Sequence, residues 1–227
     1  MRAKSCGSTA SAWSRGSVVA EPSFVFAPST GRYRDVASGR FVSQARVREA
    51  VDATVGLSSD RMADAAARLR QEVITVEQFQ AEMFAHVKDV HVSNALAAYG
   101  GREQMTPERW GFVGARIRTE YGYVRGMTSD ILDGKQAMNG SLDARARQYA
   151  AAGRHTYTAV NRREAVNRGN GSERNVLGTA EHCADCSAQS ARGWVPVGSL
   201  SQPGSRRCRG NCRCHIEFTS QSSEAAA

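Results

Sequence analysis

The residues with the clearest capacity for chemistry stand near the C-terminus. They read His182-Cys183-Ala184-Asp185-Cys186, then a Gly/Pro/Ser-rich loop, then Cys208-Arg209-Gly210-Asn211-Cys212-Arg213-Cys214-His215. Five of the six cysteines fall in this stretch, and the sixth, Cys6, is alone in a Gly/Ser-rich start. Two cysteines separated by two residues form a tight knuckle whose backbone amides turn toward the sulfurs, so one metal ion can take both thiolates. A second group returning across about twenty residues completes a tetrahedral four-sulfur site. Cys183 and Cys186 supply the first half. The second half comes from Cys208, Cys212 and Cys214, with Cys208 and Cys212 slightly favoured over Cys214, and His182 or His215 able to substitute. Four of these five cysteines are expected to bind, with Zn2+ as the structural ion. The same cysteines could instead be disulfides or inert buried thiols, but disulfides require an oxidising compartment.

A four-sulfur zinc site has no open position for water, which points to structure over catalysis. The loop 187–207 supports this, because Gly193, Pro196, Gly198, Pro203 and Gly204 leave only short apolar pieces at Trp194, Val195, Val197 and Leu200. Such a loop cannot close on its own, and a metal clip would supply the missing folding energy. Zinc deaminases need His-x-Glu followed by Pro-Cys-x-x-Cys. Here Glu181 directly precedes His182 and no proline precedes Cys183, so that comparison fails. The sequence has no P-loop and no His-Glu-x-x-His, and His86 and His91 are badly spaced for one helical face, so both read as ordinary helix residues. The expectation is that the chain is not an enzyme.

Charge within the cysteine stretch also argues for restraint. Residues 183–215 carry Arg192, Arg206, Arg207, Arg209 and Arg213 against Asp185, a net of +4 that four thiolates and one Zn2+ would bring near +2. Some of these arginines are therefore expected to face the sulfurs with their N–H groups.

The elements that position these residues are mainly helical. Residues 1–30, rich in Ser, Gly, Ala and Pro, read as a flexible arm, and residues 1–48 carry a net charge of +6. Tyr33 and Phe41 flank a turn containing Asp35 and Gly39, which predicts a short hairpin docked on the helices or on another subunit. Arg32, Arg34, Arg40, Arg46 and Arg48 are the candidate contacts to nucleic acid or an acidic partner. Helical spacing runs through 43–55 (Val47, Val51, Val55) and 58–72 (Met62, Ala65, Leu69). Thr75-Val76-Glu77-Gln78 predicts a capping box, followed by a stripe of Val76, Phe79, Met83, Val87 and Val90 that ends at Gly100-Gly101. Thr106-Pro107-Glu108 opens the next helix, with a seam of Trp110, Val113, Ile117, Tyr121, Val124, Thr128 and Ile131. Gly111, Gly114, Gly122 and Gly126 lie along it and would permit bending or a close helix approach. Ser141 is expected to cap a third long helix carrying Leu142, Ala146, Tyr149, Gly153, Tyr157 and Val160, and residues 169–172 break it. Ile216 to Thr219 reads as a short closing strand.

The expected fold is thus mainly α. A basic arm and short hairpin occupy 1–42, an α-helical body 43–171, a cysteine-rich zinc-stapled loop/β lobe 172–220, and a tail 221–227. The chain of 227 residues has a net charge of +8 and a mean hydropathy of −0.45. Of its 30 basic residues only Lys4, Lys88 and Lys135 are lysines. Arginine suits bidentate contact to phosphate or carboxylate, although a GC-rich coding sequence would give the same bias. No run approaches the roughly 18 apolar residues of a membrane span, and residues 1–20 lack the apolar segment of a signal peptide, so the chain reads as one that acts inside a cell without membrane contact.

One resemblance joins these pieces. Thr179-Ala180-Glu181-His182-Cys183-x-x-Cys186, Gly193-Trp194-Val195-Pro196-Val197-Gly198-Ser199-Leu200, Pro203-Gly204 and Cys208-x-x-Asn211-Cys212-Arg213-Cys214 together resemble the C-terminal region of tailed-bacteriophage minor head proteins, the head morphogenesis proteins similar to the Mu F-like group. The resemblance covers 179–218, and the Tyr33 to Phe41 hairpin also looks like phage structural proteins. It implies a virion component at the portal vertex or capsid interior, assembled in the host cytoplasm and acting in capsid assembly, DNA packaging or DNA delivery. The implied partners are the portal, the major capsid protein and, through the basic arm, phage DNA. Some relatives carry an ADP-ribosyltransferase-like body, but the catalytic residues of that fold have no counterpart to quote here. The competing expectation is a zinc-ribbon DNA-binding protein, and an ADP-ribosyltransferase-like enzyme is the weaker third.

Overall fold

The computed structural model describes residues 21–27, 29–209 and 212–220. Most of the expected arm, at 1–20, and the expected tail at 221–227 lie outside the described residues.

Four long helices make the body. Helix α1 (Gln44–Arg70) starts where the Ser43 hydroxyl accepts the Arg46 N–H at 3.2 Å. It is one helix where the sequence suggested two segments. Val47, Val51, Val55, Ser58, Met62, Ala65 and Leu69 form one unbroken buried row across Gly56, and a mid-helix glycine costs only about 1 kcal/mol. Helix α2 (Val76–Tyr99) begins with the expected capping box between Thr75 and Gln78 and ends on Gly100, whose φ of 84° is the left-handed conformation glycine favours. Its first half is amphipathic. From Asp89 to Tyr99 every residue is buried, because this half is the central rod of the body.

After a 3-10 turn (Arg102–Gln104), helix α3 (Pro107–Leu132) is capped by Thr106 with Pro107 in its first turn. Its seam is only partly covered: Val113, Val124 and Thr128 are buried, whereas Trp110, Ile117, Tyr121 and Ile131 are half-buried against the core. No close helix approach uses its glycines, since a Cβ at Gly111, Gly114, Gly122 or Gly126 would meet open space. Helix α4 (Gly140–Asn167) is capped by Asn139 and not by Ser141: the Asn139 side chain accepts the Ser141 N–H at 2.8 Å. The close approach falls on α4 instead, where a Cβ at Gly153 would lie 2.6 Å from Val90 Cγ2 and 2.9 Å from Asn94 Nδ2.

The hairpin is a three-stranded antiparallel sheet. Strands β2 (Arg32–Asp35) and β3 (Phe41–Val42) pair as expected, and β1 (Phe24–Ala27) adds on the other side of β2 from a stretch that read as flexible arm. The reason is tertiary. Phe24 and Tyr33 are buried against the end of α2, the Tyr33 hydroxyl donates to the Ala98 carbonyl at 2.7 Å, and the Phe26 N–H donates to the Gly100 carbonyl at 3.0 Å. The sheet therefore docks on the chain's own helices.

The remaining chain forms a small lobe of β4 (Ser172–Val176), helix α5 (Ala184–Ala191), β5 (Val195–Pro196) and β6 (His215–Thr219), with antiparallel strand order β5-β4-β6. The closing strand matches expectation. Strand β4 and helix α5 carried no sequence signal strong enough to anticipate. Among the described residues no helix is long and apolar enough to cross a membrane.

Candidate metal centre

Strand β4 is the floor on which the cysteines assemble. Glu173 is fully buried there and accepts two N–H bonds from Arg162 of α4, at 2.8 and 3.0 Å, and one from the Leu200 backbone at 2.9 Å. One carboxylate thus ties the body, the strand and the long loop together, and its charge is compensated bidentately. Two residues along, Asn175 is also buried. Its amide donates to the Cys186 carbonyl at 3.2 Å and its oxygen accepts from Arg206 Nη1 at 2.8 Å.

The knuckle forms at the start of α5. Cys183 is the N-cap residue with extended backbone, and Cys186 lies in the first turn, buried to 1% exposure. The Arg207 N–H donates to the Asp185 carboxylate at 3.2 Å, which fastens the second cysteine arm to the first. All five cysteines of the stretch are free thiols, and they form one cluster in which Cys186, Cys212 and Cys214 are buried and Cys183 and Cys208 are half-buried. Cys186 Sγ is 3.4 Å from Cys208 Sγ and 3.9 Å from Cys212 Sγ. A tetrahedron with metal–sulfur bonds of about 2.3 Å has S···S edges of about 3.8 Å, so these separations fit sulfur ligands of one ion. The thiols comprise two triads, Cys183/Cys186/Cys208 and Cys186/Cys212/Cys214, each with its sulfurs within 4.8 Å of one another. The cluster could hold a metal ion.

Electrostatics divides the thiols. The backbone N–H of Cys186 is the main influence drawing the Cys183 thiol down to about 7. Burial pushes Cys212 up, but the backbone N–H of Cys214 and the Cys208 thiol outweigh it, and the net shift is downward. Burial raises Cys208, and it raises Cys214 to about 12. Without a metal the sulfurs therefore share protons unequally, and a bound cation would displace those protons.

Arg206, only 5% exposed, sends Nη1 to within 3.7 Å of Cys186 Sγ, so the expected N–H···S contact exists and belongs to this arginine. Of the two histidines considered as substitutes, only His182 faces the sulfurs. Its Nε2 is 2.9 Å from the Gly178 carbonyl, an acceptor, so Nε2 carries the proton and Nδ1 presents its lone pair 3.8 Å from Cys214 Sγ. His215 points elsewhere, with Nε2 3.5 Å from Glu217 Oε1. Gly178 is required by proximity, since a Cβ there would sit 2.2 Å from the Arg213 carbonyl oxygen. Glu173, Asn175, Arg162 and Gly178 were missed by sequence reasoning. Nothing local marks them, because each acts through a residue distant in sequence.

The arginines singled out from the sequence lie on the β1–β3 sheet and in the first turns of α1, and Arg48 borders a cleft that Cys212 and Cys214 also line. Arg32 and Arg34 both stack on the exposed Phe41 ring, at 4.3 and 4.2 Å from its centroid. Arg40 is exposed in the turn before β3, and Arg46 is exposed and paired with Glu49 at 3.0 Å. Arg48 lines a cleft of about 350 Å³ between α1, α4 and the lobe, together with Arg154, Arg168, Arg213 and His215. Comparison of the chain with protein-family models, curated proteins and solved structures found no match.

Proposed function

We propose that the chain is a structural protein of a tailed-bacteriophage particle, a minor head or head-morphogenesis component whose C-terminal lobe is stapled by zinc. The observation that carries this reading is the gathering of all five cysteines at 183–214 into one cluster, because that stretch is where the resemblance to the Mu F-like group lies. Soft thiolate donors in a closed cluster suit zinc, which would supply cross-linking and no turnover. Cys183, Cys186, Cys208, Cys212 and Cys214 would hold it, Arg206 offsets charge at Cys186, and Glu173 with Arg162 transmits the lobe's position to α4.

In this reading the loop from Gly193 to Pro203 is a recognition surface fixed at both ends by the metal. Arg32, Arg34, Arg40, Arg46 and Arg48 meet phage DNA or acidic surfaces of the portal and major capsid protein, from a position at the portal vertex or capsid interior. The chain works there without catalysis. Quantitative mass spectrometry of purified particles tests the reading: a few copies per particle are expected, and a chain confined to infected-cell lysate overturns it.

A further inference from the structure

We infer that the cysteine cluster is built for two metal ions bridged by Cys186, with His182 as a ligand of the second. This rests on the reading of the cluster as a metal centre and concerns how many ions it takes. Cys186 belongs to both sulfur triads, so its thiolate is placed to be shared. Cys212 is 3.9 Å from it, in the triad that also holds Cys214. Cys183 and Cys208 then stand at one end of the cluster, and Cys214 with His182 at the other.

The donor count agrees. Five thiols and the His182 imidazole are six donors, and one four-coordinate ion would leave two of them idle in a packed lobe. With Cys186 binding twice, all six donors are used. The first ion takes the triad Cys183, Cys186 and Cys208, and the second takes the triad Cys186, Cys212 and Cys214 with His182.

His182 has the preparation a ligand needs. Its Nε2–H is held by the Gly178 carbonyl, which fixes the ring and turns Nδ1 to the sulfurs. Gly178 is itself pressed onto the backbone of Arg213, next to Cys214, so the histidine and the last cysteine are positioned as a unit. Charge points the same way. Five thiolates with two dications leave −1, which the buried Arg206 beside Cys186 neutralises. One dication with four thiolates leaves −2 and an unused thiol, a worse balance in a buried site.

Native mass spectrometry of the full chain purified with zinc tests this, with 113Cd resonance spectroscopy of the cadmium-loaded protein as a second readout. Two zinc ions per chain are expected, two cadmium resonances coupled through the shared sulfur, and one ion per folded chain in His182→Gln. One ion per wild-type chain, unchanged in His182→Gln, would overturn the two-ion inference and leave the metal centre standing. Two ions retained by His182→Gln would overturn the assigned ligand set. Disulfides with no metal would overturn the inference together with the reading beneath it.

Discussion

Arg206 and Asn175 grip Cys186 from two sides, one at its sulfur and the other at its carbonyl, and they also bond each other. Neither can be removed without stranding the other in a buried place. Arg206→Ala should lower the lobe's stability by about 2–3 kcal/mol, read as an earlier loss of lobe signals in chemical denaturation. Glu173 is more exacting, because its removal leaves Arg162 without its carboxylate. Glu173→Ala is expected to cost about 3–5 kcal/mol, and a shift of less than 1 kcal/mol would contradict its role as a tie between body and lobe. His91 carries a prediction about pH. Arg116 Nε donates to the Thr156 hydroxyl at 3.0 Å, so that hydroxyl donates in turn to His91 Nδ1 at 2.6 Å and the ring is neutral. Burial first, then Arg116 and His155, depress its pKa to about 3. The unfolded chain therefore binds the extra proton between about 6.5 and 3. The contribution of His91 is complete above about pH 6.5 and is lost as pH falls, with a slope of at most about 1.4 kcal/mol per pH unit. His91→Gln should flatten the acid side of a denaturation-midpoint profile measured against pH.

Among the elements, α2 and α3 are opposites. Fourteen residues of α2 are buried against four of α3, although the two helices are nearly equal in length. Helix α3 also carries four glycines on open faces and exposes Tyr123 and Leu132. Amide hydrogen exchange should be faster along α3 than in the second half of α2, since protection follows burial and packing. The close helix–helix contact at a glycine is Gly153 of α4 on Val90 and Asn94 of α2. Gly153→Ala should gain a little helix propensity and lose about 1–3 kcal/mol to overpacking, seen as a lower Tm. Local signals served well where one helix decides for itself: the Thr75 capping box, the Thr106-Pro107 start and the α4 stripe are all present. They served less well at Asn139 and Ser141, where two good capping residues stand two apart and only the chain's path into the helix chooses between them.

At the scale of the molecule, the lobe is joined to the body by the Arg162–Glu173 pair and by Arg213, 3.5 Å from Asp52 of α1. Chelation should therefore loosen β4 to β6 while leaving most of the helical circular dichroism intact, because α1, α2 and α4 have their own core. Simultaneous collapse of the helices on chelation would show instead that the metal holds the whole chain. Much of this plan was determined by the sequence alone. Apolar spacing, caps and the two-residue gap between Cys183 and Cys186 act over a few residues, so they can be read from neighbours along the chain. Tertiary structure decided the rest. It chose strand β1 out of an apparent arm, set Glu173 in the interior, and brought Cys208, Cys212 and Cys214 together onto Cys186. It also turned His182 toward the sulfurs and His215 away. Those outcomes depend on which distant segments pack against each other, since a buried charge is tolerable only where Arg162 arrives to meet it, and sulfurs far apart in sequence gather only where the fold brings their segments together.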